Sequence, residues 1–151
     1  MNFDLRDRRA LVTGSTAGIG FAIARGLAAQ GAAVVVNGRT SESVERAAAR
    51  IREAVAGAIV ETVAADAATP EGAEALAARA PSLDILVNNL GIFEPKPFFE
   101  ILDEDWRRFF EVNVLSGIRL ARRYAPGMAE RAAGGASCSS QASPPSTSHA
   151  R

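Results

Sequence analysis

A chain of 151 residues with 48% hydrophobic content and a mean hydropathy of +0.05 has the length of one domain and the apolar content of a soluble core. Seventeen basic residues balance seventeen acidic ones, giving a formal net charge of +0 and a pI near 6.6, which excludes the long-range field that draws in nucleic acid or an anionic membrane. No apolar run approaches the roughly 20 residues that span a bilayer, Met1 to Arg6 carry no apolar signal core, and the single Cys138 allows neither an internal disulfide nor a cysteine metal cluster, so the expectation is a cytoplasmic protein without a metal.

Residues 8–12 read as a first buried strand, and Phe21, Ile23, Ala24 and Leu27 mark a helix over 18–30 that Gly31 stops. Between them lies Thr13-Gly14-Ser15-Thr16-Ala17-Gly18-Ile19-Gly20, the stretch around which the rest is organised. Strand, glycine turn and helix in that order make a phosphate cradle. Gly14 permits the sharp turn, Gly18 lets backbone N–H groups approach a pyrophosphate, and Gly20 lets the helix pack close to the strand, with the positive end of the helix dipole toward the anion. The spacing G-x-x-x-G-x-G differs from the commoner G-x-G-x-x-G, and from the glycines alone a plain structural turn is an equal reading.

Residues 33–37 form a continuous apolar run that suits a parallel strand covered on both faces. Asn37, Gly38 and Arg39 stand at its end, where an acidic side chain would accept hydrogen bonds from the ribose of NAD. With no carboxylate until Glu42, Arg39 can instead fork onto the 2′-phosphate of NADP; the alternative is a solvated arginine ahead of a helix. Thr40 or Ser41 caps that helix, with Val44, Ala47, Ala48 and Ile51 on its inner face. A third strand over 59–65, a short helix opened by Pro70 and reaching Arg79, and a fourth strand over 84–88 complete the alternation. Right-handed crossovers then imply an α/β fold, a doubly wound parallel sheet in the order 3-2-1-4 with helices on both faces.

The loop over 91–102 carries Phe93, Phe98 and Phe99, which implies packing against a neighbouring helix. Asp103 caps a long helix over 104–128, with Trp106, Phe109, Phe110, Val114, Ile118 and Ala121 spaced for an inward face and Pro126 expected to disturb the last turn. Residues 132–151 hold almost no large apolar side chain and cannot offset their chain entropy by burial. Two readings of that tail stand. It is a natural flexible segment, or it is the product of a shifted reading frame: with TCN serine codons, regrouping residues 134–142 by one nucleotide yields an apolar strand followed by serines.

The run from Thr13 to Gly20 matches T-G-x-x-x-G-[IL]-G in full; Asp66 follows the third strand, Asn88-Asn89-Leu90-Gly91 the fourth, and Asn113 lies in the long helix. In these features the chain resembles the short-chain dehydrogenase/reductase family, over about residues 5–131. The resemblance implies a Rossmann-type nicotinamide-nucleotide domain over 1–131, ending after the long helix that follows strand 4. It implies cofactor contacts from Gly14, Ser15, Thr16, Gly18, Ile19, Gly20, Arg39, Asp66, Asn89 and Gly91, with Asn88 bridging strand backbones and Asn113 holding a water in a proton relay. Leu90 departs from the alanine of N-N-A-G. The family's catalytic tyrosine, with a lysine four residues on, is not matched: the one tyrosine, Tyr124, is followed by Met128, and the one lysine is Lys96. Ser137, Ser139 and Ser140 fall near the place of a catalytic serine, but in the tail, and His149 takes no role.

The expectation is therefore a dehydrogenase/reductase of carbonyls or alcohols by resemblance, preferring NADP over NAD and catalytically incomplete in these residues. Its alternatives are a non-catalytic NADP(H)-binding module and a subunit that pairs with a complete homologue through residues 106–128. An apolar fourth strand at the sheet edge adds an expectation of homo-oligomers.

Overall fold

The structure, a computed structural model, describes residues 4–132. Four parallel strands, β1 (Arg9–Val12), β2 (Ala33–Gly38), β3 (Val60–Ala64) and β4 (Ile85–Val87), lie in the order β3-β2-β1-β4. Ala10 stands opposite both Val34 of β2 and Ile85 of β4, and Val34 in turn opposite Val60 of β3.

Strand alternation sorts the apolar residues to two faces. On one, Ala10, Val12, Val34 and Val36 meet Phe21, Ala24 and Ala28 of α1 (Gly18–Ala29) and Val44, Ala48 and Ile51 of α2 (Ser41–Ala54). On the other, Leu11, Val35 and Val63 meet Leu76 of α3 (Pro70–Arg79) and Leu120 and Tyr124 of α5 (Ser116–Ala132). The three layers match the expected doubly wound sheet.

The caps explain the helix limits. Thr40, not Ser41, caps α2, its Oγ1 accepting the Ser43 N–H at 3.3 Å. Thr69 does the same for α3, accepting from Gly72 at 3.0 Å, with Pro70 where its missing N–H costs nothing. Gly31, at φ +95°, takes the left-handed conformation that ends α1.

The expected long helix departs from its sequence reading in four ways. It is α4 (Asp103–Phe110), then a π turn over Glu111–Leu115, then α5. Asp103 is its first helical residue and not its cap; the Asp105 carboxylate instead reaches back to accept the Leu102 N–H at 3.0 Å. It is longer than expected at its end, α5 running past Pro126 and residue 128 to Ala132. Its inward face is Ser116, Leu120 and Tyr124, while Trp106 stays 58% exposed and Phe110, Val114 and Ile118 are exposed as well.

The π turn accounts for the exposure of Trp106, which lies ahead of it, though not for that of Ile118, which lies behind it on α5 with Leu120 and Tyr124. In an uninterrupted α-helix Trp106 and Tyr124 would share a face, being five whole turns of 3.6 residues apart. The extra residue of a π turn rotates one half against the other by about 100°. Tyr124 then points into the core and Trp106 does not.

The loop before α4 also differs from expectation, because Phe93, Phe98 and Phe99 are exposed and the two neighbours touch chiefly each other, edge to face at 5.4 Å between ring centres. Charge holds this loop: Lys96 pairs with Asp105 at 2.7 Å, and Arg108 with Glu94. Ala132, expected to open the tail, closes α5 instead, and both readings of the rest of the tail fall outside the described residues.

A candidate nucleotide-binding cleft

At the end of β1 the Thr13 N–H donates to the Val87 carbonyl at 3.0 Å, and the chain turns through Gly14 at φ +60° to Gly18 at φ +57°, values that a side chain resists. Gly20 is set by proximity instead: a Cβ there would lie 2.4 Å from both the Gly14 carbonyl oxygen and Asn89 Nδ2. Ser15 is fully buried, its hydroxyl donating to the Val12 carbonyl at 2.7 Å and accepting the Asn37 N–H at 2.9 Å. Its backbone N–H is engaged as well, donating to the Asn37 carbonyl at 2.9 Å, so Ser15 holds the turn and offers no donor to a ligand.

Asn37 is the residue that sequence reasoning left without a role. Its side chain is buried, donates to the carbonyls of Val63 and Ala65 at 3.2 and 3.0 Å, and accepts the Gly14 N–H at 3.3 Å. It therefore ties β2, β3 and the glycine turn together. A lone amide at the end of an apolar run, where no water reaches, was the available signal.

The strand bridge expected of Asn88 is made by Asn89. Asn88 does not bridge strands; it is exposed and donates to the Gly117 carbonyl of α5 at 3.3 Å. Asn89 makes the bridge, its Nδ2 donating to the carbonyls of Thr13 and Gly14 at 3.0 and 3.1 Å, while Thr13 Oγ1 accepts the N–H groups of Asn89 and Leu90, each at 3.0 Å.

These contacts shape a cleft of about 310 Å³ at the C-terminal ends of the strands, lined by Gly14, Thr16, Asn37, Gly38, Arg39, Ala65, Asp66, Leu90, Gly91 and Val112 among others. Arg39, exposed at one wall, forms no hydrogen bond or ion pair with a described residue. Asp66, two residues past the end of β3, lines the same cleft, one carboxylate oxygen accepting the Ala68 N–H at 3.0 Å. The start of α1 has no side-chain cap, unlike α2 and α3, so its first amides keep their donors free, and Ile19 there is exposed. Asn113, on the π turn, grips the loop below: its Oδ1 accepts the Ile92 N–H at 2.7 Å and its Nδ2 donates to the Ile92 carbonyl at 3.1 Å.

Tyr124 and Lys96 lie in other settings. Tyr124 is buried, donates to the Ala80 carbonyl at 2.9 Å, and has its phenol pKa pushed up by that burial. Lys96 is held by Asp105, which raises its pKa. Among the described residues no cluster of three or more His, Cys, Asp or Glu could hold a metal, and no helix is long and apolar enough to cross a membrane.

A parallel sheet, a glycine turn and an uncapped helix around a cleft at the strand ends define a Rossmann-type nucleotide fold. Residues 8–144 match the short chain dehydrogenase family, a span that extends beyond residue 131, the expected limit of the resemblance, and the chain belongs to that family of oxidoreductases. It is 50% identical over 134 residues to the uncharacterized oxidoreductase YvaG of Bacillus subtilis, covering 89% of this chain and 51% of that one. Gluconate 5-dehydrogenase of Gluconobacter oxydans is 39% identical over 114 residues, 74% of this chain and 44% of its own. The fold overlays L-sorbose reductase of Gluconobacter frateurii, solved with NADPH and L-sorbose, with a TM-score of 0.79 and 38% identity over 87% of this chain and 51% of that one. The chain thus spans about half the length of the relatives it matches.

Proposed function

We propose that the cleft binds a nicotinamide dinucleotide, NADP(H) in preference to NAD(H), and that the chain derives from an enzyme of carbonyl and alcohol interconversion. The observation that carries this reading is an Arg39 unpartnered among the described residues in a cleft that Asp66 also lines, with uncapped amides at the start of α1. In it, the turn from Gly14 to Gly20, with the backbone of Thr16 and Ile19 and with Ser15 holding the turn in shape, receives the pyrophosphate; Arg39 takes the 2′-phosphate and Asp66 the adenine amino group. Gly91 allows close approach where a Cβ would sit 3.2 Å from Asn113 Oδ1. Asn89 acts through the turn it holds. The bound nucleotide would supply or accept the hydride. Asn113 has its amide engaged by Ile92, so its share in a water relay falls to its backbone carbonyl.

A second reading, a nucleotide-binding module without turnover in these 151 residues, draws on Tyr124 and Lys96, both engaged away from the cleft lining. Exposed Trp106 and Phe110 on α4 favour self-association or pairing with a homologue, in a cytoplasmic setting. Calorimetric titration with NADPH and NADH tests the proposal: tighter binding of NADPH is expected, and equal affinities would remove Arg39 from its role.

A further inference from the structure

Residues 66–69 lead from the nucleotide cleft into α3, and Thr69, the cap of that helix, pins the first of them. The Thr69 N–H and Oγ1 each donate to the Asp66 carbonyl at 3.0 Å, while one oxygen of the Asp66 carboxylate accepts the Ala68 N–H at 3.0 Å. The other carboxylate oxygen accepts nothing from a described residue. The Ala68 carbonyl is held from a different element: Arg119 Nη1, on α5 and 51 residues away, donates to it at 3.0 Å.

Arg119 is itself fixed. Its guanidinium pairs through Nη2 with Glu111, the first residue of the π turn, and its side chain is only 25% exposed. The π turn makes that pair possible. Eight positions along a plain α-helix leave two residues about 80° apart around the axis. The extra residue of the π turn takes back about 100°, which brings Glu111 and Arg119 to within about 20° of one face. Val112, beside Glu111, lines the cleft together with Asp66 and Ala68. The Glu111–Arg119 pair therefore ties two segments of the cleft lining to each other, the π turn and the turn that follows β3.

We propose, given the assignment of Asp66 to adenine, that Arg119 held by Glu111 is a positioning residue for nucleotide recognition. By fixing the Ala68 carbonyl it sets the neighbouring Ala68 N–H, and through that N–H the Asp66 carboxylate, for the amino group of the base. The bond is charge-assisted, and no other described donor reaches that carbonyl.

The experiment is calorimetric titration of the 151-residue chain with NADPH, with NADH, and with an NADPH analogue that carries unsubstituted purine, a hydrogen standing where the amino group was. The parent should prefer NADPH to the analogue by about tenfold, the usual value of a hydrogen bond to a charged group. Arg119→Met keeps an aliphatic side chain and loses the donors. It should bring that ratio toward one and leave the ratio of NADPH to NADH, set by Arg39, as it was. Each ratio is taken on one variant, so a loss of folded protein cancels from it. Glu111→Gln, which weakens the hold on Arg119, should move the first ratio the same way by less. An adenine ratio unchanged in Arg119→Met, or in Glu111→Gln should the first variant not fold, would overturn the proposal. Equal falls in both ratios would overturn it as well, since Arg119 would then serve the scaffold alone. A parent that binds NADPH and the purine analogue alike would instead remove Asp66 from adenine, and the proposal with it.

Discussion

Asn89 Nδ2 occupies the space that a side chain at Gly20 would need: a Cβ built there lies 2.4 Å from it and equally close to the Gly14 carbonyl oxygen. The amide and the glycine together hold the start of α1 against the turn that follows β1.

Gly20→Ala should accordingly destabilise the chain by about 1–3 kcal/mol, the usual cost of forcing atoms into a filled space. NADPH affinity should fall with it, because the amides of the α1 start would be displaced. Urea unfolding followed by circular dichroism gives the first quantity and calorimetry the second. A variant as stable as the parent would show that the turn yields easily.

Asn37→Asp separates structure from chemistry at the end of β2. A carboxylate can still accept the Gly14 N–H, yet it has no hydrogen to give the carbonyls of Val63 and Ala65. The expected loss is about 1–3 kcal/mol, because buried carbonyls are left unpaired. Unchanged stability would mean that water or a shifted strand satisfies them.

Arg39→Asp should reverse the nucleotide preference. A charge-assisted contact to phosphate is worth roughly 1.5–3 kcal/mol, or about ten- to a hundredfold in affinity. The measurement is the ratio of NADPH to NADH dissociation constants before and after the change.

The loop ion pair predicts a pH window. Asp105 has its pKa lowered, first by the Lys96 hydrogen bond and then by the Leu102 N–H, so its contribution is present above the unfolded carboxylate pKa and is lost as pH falls through the depressed folded value. Lys96 has its pKa raised by Asp105, so its contribution is complete below the unfolded lysine pKa and disappears as pH rises through the raised folded value. Lys96→Ala should therefore lower the melting temperature near neutrality and narrow its gap to the parent at both extremes. A gap independent of pH would assign the effect to packing.

The 151 residues alone should reduce no carbonyl above background with NADPH. A positioned acid typically contributes about 10²–10⁴-fold, and the one tyrosine is buried against Ala80 with its pKa raised. Nicotinamide absorbance with a panel of ketones and aldehydes is the assay. Turnover abolished by Tyr124→Phe would point to a different arrangement; the expected result of that change is a loss of about 1 kcal/mol in stability, from the missing hydrogen bond.

Much of this was legible beforehand because the signals were local. Continuous apolar runs, a cap at Thr40 or Ser41, a proline opening the third helix, and glycines at the turns placed four strands and the cradle. What escaped depended on contacts distant in sequence. Nothing local says that Asn89, and not Asn88, reaches back to Thr13, some 76 residues away. The π turn hid for a similar reason: residues 111–115 have ordinary helical composition, and only the packing of Tyr124 against α3 and the grip of Asn113 on Ile92 reveal the extra residue. The phenylalanines of the loop were misplaced because apolar character alone does not say what is near enough to cover them.

The exposed position of Trp106 has an optical consequence. It is the sole indole in the chain, and at 58% exposure its emission should lie toward the red in the folded state. Denaturation should shift that emission little, whereas covering α4 by another molecule should move it to the blue. The same chromophore is thus nearly silent to unfolding and responsive to assembly.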